Sequence, residues 1–428
     1  MHLSSIDFSK KEKRTIILAV TIGNLLEWYE IYLYVYWSPI IAQLFFKADS
    51  QFDNLTNTFL IFAVGFLSRP FGGIFFGRLG DLIGRKKSLV LSIGVMTIPT
   101  FVTGFLPTYA QIGFFAPVIL GLMRILQSFP AGGEIPGAFC YLYESSRHEK
   151  RRYLCSWGAV GYQLGILLST IECFCLEKFL SHEALITWGW RVSFLIGGLI
   201  GLFGLLLRYQ LHETPLYQEM TTHEKIVKEP IWQVLSSHKK GIFKGILFCA
   251  LNSSSFYLLS VNFPVYFQKL IGTNYSNSLI ITIIFLLLIT IPLPFFGMLA
   301  DKYSNKNMLI FSTIGIILLL YPLSLAINST SLFFIITVIF LFSIFFTCLS
   351  ALIPYIMPNL FPIRVRFTCV AVSFNIVDAV IGGFAPVIAL YLYHYTGDHS
   401  SIIWFLLFTS FLSLIGYLLI KEKKTVIH

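Results

Sequence analysis

Apolar residues run along this chain in long blocks separated by short polar breaks. About twelve blocks are long enough to cross roughly 30 Å of hydrocarbon as helices, at about 1.5 Å per residue. They lie near 15–46, 55–79, 88–106, 111–143, 153–177, 185–211, 241–270, 277–299, 307–327, 331–360, 365–394 and 400–420. The first block bears acids and is followed by no small-residue cleavage site, so it is expected to stay as a span and not to be removed as a signal peptide. The pattern predicts an all-α membrane protein with twelve transmembrane helices.

Composition sharpens this picture. Of 428 residues, 56% are hydrophobic and 12% charged, the mean hydropathy is +0.76, and there are 42 Phe. Soluble domains carry about 25% charged residues. A soluble enzyme, a disordered chain and a secreted disulfide scaffold are excluded. The seven Cys, Cys140, Cys155, Cys173, Cys175, Cys249, Cys348 and Cys369, fall in or beside apolar stretches with no metal spacing, and read as small buried side chains.

The net charge of +10 has a topological meaning. Alternate loops hold Lys10, Lys11, Lys13 and Arg14; Arg85, Lys86 and Lys87; Arg147, Lys150, Arg151 and Arg152; Lys225, Lys228, Lys239 and Lys240; Lys302 and Lys306; Arg364 and Arg366; and Lys421, Lys423 and Lys424. The opposite loops hold Lys47, Lys178, Arg191 and Lys269. Positive charge collects on the cytoplasmic side, which places both termini there. No basic run is interleaved with stacking aromatics, so nucleic acid is not an expected partner.

The longest polar break, His212 to Lys240, divides the chain into an N-terminal six-helix bundle (1–211), a cytoplasmic linker (212–240) and a C-terminal six-helix bundle (241–428). The halves echo one another. Gly77 precedes Asp81 in the first, and Gly297 precedes Asp301 in the second, each at the end of that half's second span. Internal duplication with a site at the repeat interface is typical of secondary transporters.

The run Gly77-x-x-x-Asp81-x-x-Gly84-Arg85-Lys86-Lys87 resembles the loop signature of the major facilitator superfamily. Gly23-Asn24-Leu25-Leu26-Glu27-Trp28-Tyr29-Glu30, Arg69-Pro70-Phe71-Gly72-Gly73, Gly132-Gly133-Glu134, Trp188-Gly189-Trp190-Arg191, Glu213-Thr214-Pro215 and Phe361-Pro362-Ile363-Arg364-Val365-Arg366 with Phe374-Asn375 are similar to motifs of its metabolite:proton symporter branch. The resemblance covers essentially the whole chain. It implies two pseudo-symmetric six-helix bundles and uptake of proline or betaine, dicarboxylate or citrate, or a shikimate-like acid. Three departures stand out. Glu30 replaces the usual aspartate. The second loop motif lacks its glycine and arginine, so only one half is expected to carry the full latch. The chain ends eight residues after Ile420, which leaves no room for the coiled coil of long osmosensory members.

Charge inside the hydrocarbon carries the chemistry. Glu27, Glu30, Arg69, Arg124, Glu134 and Asp378 lie well within the predicted spans. Each costs about 2.5–3.5 kcal/mol at mid-bilayer, or ~15–20 kcal/mol for six uncompensated, so they must face protein or water and by default mark a pathway. Glu27 and Glu30, three residues apart, share a helical face and suit proton holding, with Glu30 as the principal carrier. In the alternative, Glu27 neutralises a buried arginine. Arg124 is a candidate bidentate anchor for a substrate carboxylate or Glu27's counter-ion, two readings that are compatible if proton and substrate compete for the same arginine. Arg69 and Glu134 are expected to pair, beside glycines that permit close helix packing. Asp378 is a candidate for the cationic end of a zwitterion, for a second proton, or for no role.

Tyr29, Tyr32, Tyr36, Tyr162, Gln163, Asn252, Ser253, Tyr257, Asn262, Tyr355 and Asn375 are candidate cavity lining, although each aromatic also suits plain helix packing. At the cytoplasmic rim, Asp81 is expected to accept bonds from a helix N-terminus and Arg85 to reach Glu144, with Gly77 and Gly84 serving the same gate. The leading reading is a monomeric secondary transporter of the bacterial inner (plasma) membrane. It takes up a small carboxylate-bearing metabolite or zwitterionic osmolyte with a proton, is driven by the proton gradient and uses no other cofactor. A membrane enzyme fits less well, since the His residues form no cluster with carboxylates; a channel or a non-transporting nutrient sensor on the same scaffold remain alternatives.

Overall fold

The computed structural model describes residues 9–47, 51–222, 229–258, 275–327, 329 and 331–420. Within them every apolar run is helical. In chain order these helices are α1 (Lys10–Tyr36), α2 (Gln51–Ile83), α3 (Arg85–Thr103), α4 (Phe115–Glu144), α5 (Arg151–Phe179) and α6 (Trp190–Tyr209). After a short helix, Pro215–Thr222, come α7 (Ile231–Tyr257), α8a (Tyr275–Thr290), α8b (Leu293–Lys302), α9 (Asn305–Ile327), α10 (Leu332–Asn359), α11a (Arg366–Val377), α11b (Ala385–Thr396) and α12 (Ile402–Leu419). Ten of the helical stretches qualify as spans by length and composition. The other two are α3, which opens on Arg85-Lys86-Lys87, and α7, which carries five serines, Asn252 and three lysines, so polar residues dilute both.

Local chemistry sets the boundaries. Ser9 and Glu12 cap α1 reciprocally, at 2.7 and 3.2 Å. Gly84 has φ +113°, a conformation open to glycine, and turns the chain from α2 into α3 within one residue. α11 is broken by a π turn over Asp378–Gly382, in which the Gly383 N–H donates to the Asp378 carbonyl at 2.7 Å.

α2 packs on α4, α1 on α5, α3 on α4 and α6, α7 on α11a and α12, and α9 on α10. A Cβ at Gly72 or Gly132 would overlap the backbone of the facing helix, so these glycines set how closely α2 and α4 approach. The first six spans meet the last six chiefly through α2 and α4 against α11a, α5 against α8 and α10, and α4 against α10. Large apolar side chains such as Leu67, Ile98, Phe203, Phe311, Leu318 and Phe333 face outward, where lipid would cover them.

Candidate functional site

Three buried charge clusters, besides a separate Glu134–Arg208 pair, organise the described residues. The central one joins both halves. Arg69 of α2 donates through Nη2 to Glu27 of α1, and its Nη1 lies 4.0 Å from Asp378 Oδ2 at the π turn of α11. Asp378 accepts from Ser253 at 3.0 Å and from Tyr257 at 2.9 Å, both on α7. The guanidinium stacks over Phe66 at 4.8 Å and Trp28 at 5.8 Å, while its Nε and Nη1 make no hydrogen bond. Beside Asp378 lies a cavity lined by Trp28, Tyr162, Asn252, Ser253, Phe256 and Phe374 among others, with room of about 20 Å³. That holds roughly one water. Phe256 meets Trp28 and Tyr162 edge to face and those two rings lie tilted to each other, at centroid distances of 4.8 to 6.1 Å, so the three fill space between the halves.

One helical turn along α1, Glu30 enters a different network. Thr100 Oγ1 of α3 lies 2.5 Å from Glu30 Oε2 and 2.8 Å from the Met96 carbonyl. Gln127 donates to the same Thr100 oxygen at 3.2 Å, and Arg124 donates to Gln127 at 3.0 Å. Glu30 Oε1 and Arg124 Nε and Nη2 are buried without hydrogen bonds.

Several expectations change here. Arg69 does not pair with Glu134. Glu134 instead holds Arg208 of α6, which also donates to the carbonyls of Leu89 at 2.7 Å and Ala19 at 3.3 Å. Helix rotation, invisible in linear order, turns Arg69 toward α1 and α11. Glu27's counter-ion is Arg69, not Arg124. Arg124 lies under Tyr34 at 4.6 Å and belongs with Glu30; neither it nor Arg69 is on the cavity wall, which Arg69 approaches through Asp378. Glu27 and Glu30 share a helix but send their carboxyls to different neighbours. Tyr29 does not line the cavity, because its hydroxyl turns into the first-half helices toward Glu172 and the Ser193 carbonyl. Asn375 spends its amide on the carbonyls of Gly132, at 2.6 Å, and Ala371, at 2.8 Å, clasping α4 to α11a.

Among the other candidates, Asn252 and Tyr162 line the cavity, and Asn252 accepts from Ser350 at 2.6 Å. Gln163 is fully buried and neither amide atom is hydrogen-bonded. Tyr32 packs between Trp28 and Tyr36, and Tyr36 bonds Thr170. Tyr355 stacks on Tyr143 and under Arg152, at the basic end of the bundle. Asn262 lies outside the described residues.

The third cluster closes that basic end. Asp81 accepts from the backbone N–H of Phe367 (3.2 Å) and Thr368 (2.9 Å) and from the Thr368 hydroxyl (2.7 Å), capping α11a. Arg85 grips Glu144 with two bonds, 3.0 and 3.1 Å, lies 3.2 Å from Asp81, and donates to the Ile363 carbonyl at 2.7 Å. Arg366 and Thr214 also donate to Glu144, at 2.9 and 2.8 Å. A Cβ at Gly77 would lie 2.9 Å from Thr368 Cα, so the absence of one admits α11a. The sequence suggested an exposed rim, but Arg85 is 0% and Glu144 3% exposed. The second half carries only part of the latch: Asp301 caps α5, accepting from Arg152 N at 3.0 Å and Tyr153 N at 3.1 Å, while Asn305 stands where Arg85 does in the first half and accepts from Arg152 Nε at 2.8 Å. Glu213 of the linker takes the N–H groups of Arg85 and Lys86 at the start of α3.

Sequence reasoning passed over Arg208, Glu172, Thr100 and Gln127. Arg208 and Glu172 sit toward span ends, where a charge is easily read as an interface group; their signal was an ionisable residue on an otherwise apolar helix. No group of three or more His, Cys, Asp or Glu suited to a metal occurs among the described residues.

Comparisons with known proteins agree with this architecture. Residues 20–377 match the family model described as Major Facilitator Superfamily. The chain is 34% identical over 422 residues to a putative proline/betaine transporter of Staphylococcus aureus (strain COL), covering 98% of this chain and 89% of that one. It is 30% identical to a citrate-proton symporter of Klebsiella pneumoniae, covering 96% and 92%. Among solved structures, a proton:xylose symporter bound to 6-bromo-6-deoxy-D-glucose superposes with a TM-score of 0.79 at 15% identity, covering 96% and 95% of the two chains. The human organic anion transporter MFSD10 gives 0.66 at 14% identity, covering 94% and 99%. The chain therefore belongs to the Major Facilitator Superfamily, and it is a membrane transporter rather than an enzyme.

Proposed function

We propose that the protein imports a small zwitterionic carboxylate together with a proton, by alternating access of its two six-helix halves (1–211 and 241–428, joined by 212–240) around the Glu27–Arg69–Asp378 cluster. The observation that carries this reading is Arg69, held between one carboxylate from each half with two of its nitrogens unbonded. A substrate carboxylate would take those donors, and Asp378 with the faces of Trp28, Tyr162 and Phe256 would receive the cation once the rings part. The relatives named proline/betaine transporters point the same way.

Glu30 supplies the proton site. Thr100 has one hydroxyl hydrogen and two acceptors in reach, Glu30 Oε2 and the Met96 carbonyl. A proton on Glu30 lets the carboxyl donate to Thr100 while Thr100 donates to Met96, so both bonds form. The positive-inside rule puts the latched end, and both termini, in the cytoplasm of a bacterial inner membrane, with the site closed on that side. The working unit is a monomer.

Purified protein reconstituted in vesicles, with an imposed pH gradient, tests the reading across betaine, proline, citrate, 2-oxoglutarate and shikimate. Accumulation of betaine or proline that collapses with the gradient is expected; accumulation of none of the five defeats it. Citrate is the second reading, favoured by the relative named a citrate-proton symporter. A polyanion would have to enter beside Glu27, Glu30 and Asp378, which disfavours it.

A further inference from the structure

Glu172 is a carboxylate on α5, about 10 Å from the Phe179 end of that helix at about 1.5 Å per residue. It takes no part in the three clusters above. The Tyr29 hydroxyl of α1 bonds one of its oxygens, and the other, Oε1, is buried without a hydrogen bond. The same hydroxyl lies 3.1 Å from the Ser193 carbonyl at the start of α6. The Ser193 side chain faces Glu172 as well, and its oxygen accepts from Trp37 Nε1 at 3.1 Å.

A phenol carries one hydrogen, yet Tyr29 has two acceptors. With Glu172 ionised, Tyr29 makes only one of its two bonds, and the carboxylate can accept from the Ser193 hydroxyl while the Ser193 carbonyl loses Tyr29. With a proton on Glu172, the carboxyl donates to the Tyr29 oxygen and Tyr29 donates to the Ser193 carbonyl, so α5, α1 and α6 are joined in one chain. Among the described residues no neighbouring charge neutralises Glu172 instead. Arg191 of α6 turns to the carbonyls of Gly104 and Leu106, at 3.1 and 2.7 Å. On α5 itself Lys178 lies over Phe174 and Phe179, and Glu177 faces His182. α8a and α10 contain no Asp, Glu, Lys or Arg, and Glu144 of α4 and Asp301 of α8b belong to the latch at the far end.

We infer that Glu172, Tyr29 and Ser193 form a second proton-binding site at the end of the first half opposite the latch, separate from Glu30. Loading it clamps α1 to α5 and α6, so the pH of the medium it meets sets how rigidly the helix bearing Glu27 and Glu30 is held. The site stands apart from the transport reading, and that reading supplies only the name external for this side.

The test needs no substrate. Infrared difference spectra of the full chain in lipid bilayers, taken between alkaline and mildly acidic buffer, report carboxylic-acid C=O bands. A band lost in E172Q, displaced in Y29F and retained in E30Q is expected. A set of bands identical in the wild type and E172Q overturns the inference, and so does a band indifferent to Y29F, a variant that leaves the carboxyl in place if E172Q fails to fold. Loss of a different band in E30Q tests the Glu30 assignment on its own, so failure of one site is distinguishable from failure of the other.

Discussion

Asp81 and Asp301 hold equivalent posts on opposite halves of the molecule. Each accepts two consecutive backbone N–H groups at the start of a helix from the other half, Phe367 and Thr368 for Asp81, Arg152 and Tyr153 for Asp301. Both carboxylates thus sit where helix dipoles favour negative charge. Removing a cap of this kind costs about 1–2 kcal/mol, roughly a fivefold to thirtyfold shift in a two-state equilibrium. D81A and D301A should each raise the population open at the basic end. Cys369 and Cys155, buried beside the two caps, are the reporters. Their alkylation by a permeant maleimide, followed by mass spectrometry, should speed up by about that factor; unchanged rates would show that the caps do not hold the closed state.

If Glu30 carries the proton as proposed, its neutralisation should separate two modes of transport. E30Q should lose gradient-driven uptake by more than about tenfold while substrate exchange across the membrane persists, since exchange requires no net proton movement. Counterflow and pH-jump uptake on the same vesicles decide the point. Normal proton coupling in this variant would reassign the proton to Glu27 or Asp378.

Arg69 and Arg124 should respond differently to loss of their forked head. R69K removes the planar donor set between Glu27 and Asp378 and should weaken substrate binding by about tenfold or more. R124K should leave binding within a few fold and alter the pH profile, because Arg124 reaches Glu30 through Gln127 and Thr100. Equilibrium binding and uptake against pH distinguish the two.

Glu134 and Arg208 form a fully buried pair within the first half. Leaving either charge without its partner typically costs about 3–5 kcal/mol, whereas replacing both with apolar residues is often nearly neutral. E134L and R208L should each lower the Tm in detergent, and the double variant should regain most of the loss. A double variant worse than both singles would give the pair a role beyond packing.

The linker contact should respond to pH. Burial raises the Glu213 carboxyl above the ordinary range, despite the N–H groups of Thr214, Lys86 and Arg85 that favour its charged form. A raised acid binds its proton more tightly when docked than when released, so docking is favoured as pH falls and weakens as pH rises through the docked value. Exchange protection of the Arg85 and Lys86 amides, corrected for intrinsic rates, should fall with rising pH and become flat in E213Q.

The helices were legible because their signal is long and one-dimensional: twenty or so apolar residues read as a span whatever they touch. The latch was legible for a related reason, since Asp81, Arg85 and Glu144 sit at span ends whose depth is fixed by counting. Pairing inside the bundle was not. Whether Arg69 meets Glu27 or Glu134 depends on rotation about the axes of α1, α2 and α4, and a small error in twist changes the partner. Tyr29 was misplaced for the same reason, since its neighbours Trp28 and Glu30 point to other helices. Glu172 and Arg208 were hidden by proximity to span ends, where charge is cheap.

α11a is twelve residues long, about 18 Å of straight helix. One tip is pinned under Asp81, and the other ends at Asp378, where the π turn interrupts the rod. On the proposed reading, a molecule lodged against Asp378 would push on one end of a stiff strut whose opposite foot is the lock. Filling the site and releasing the gate would then be two displacements of a single rod.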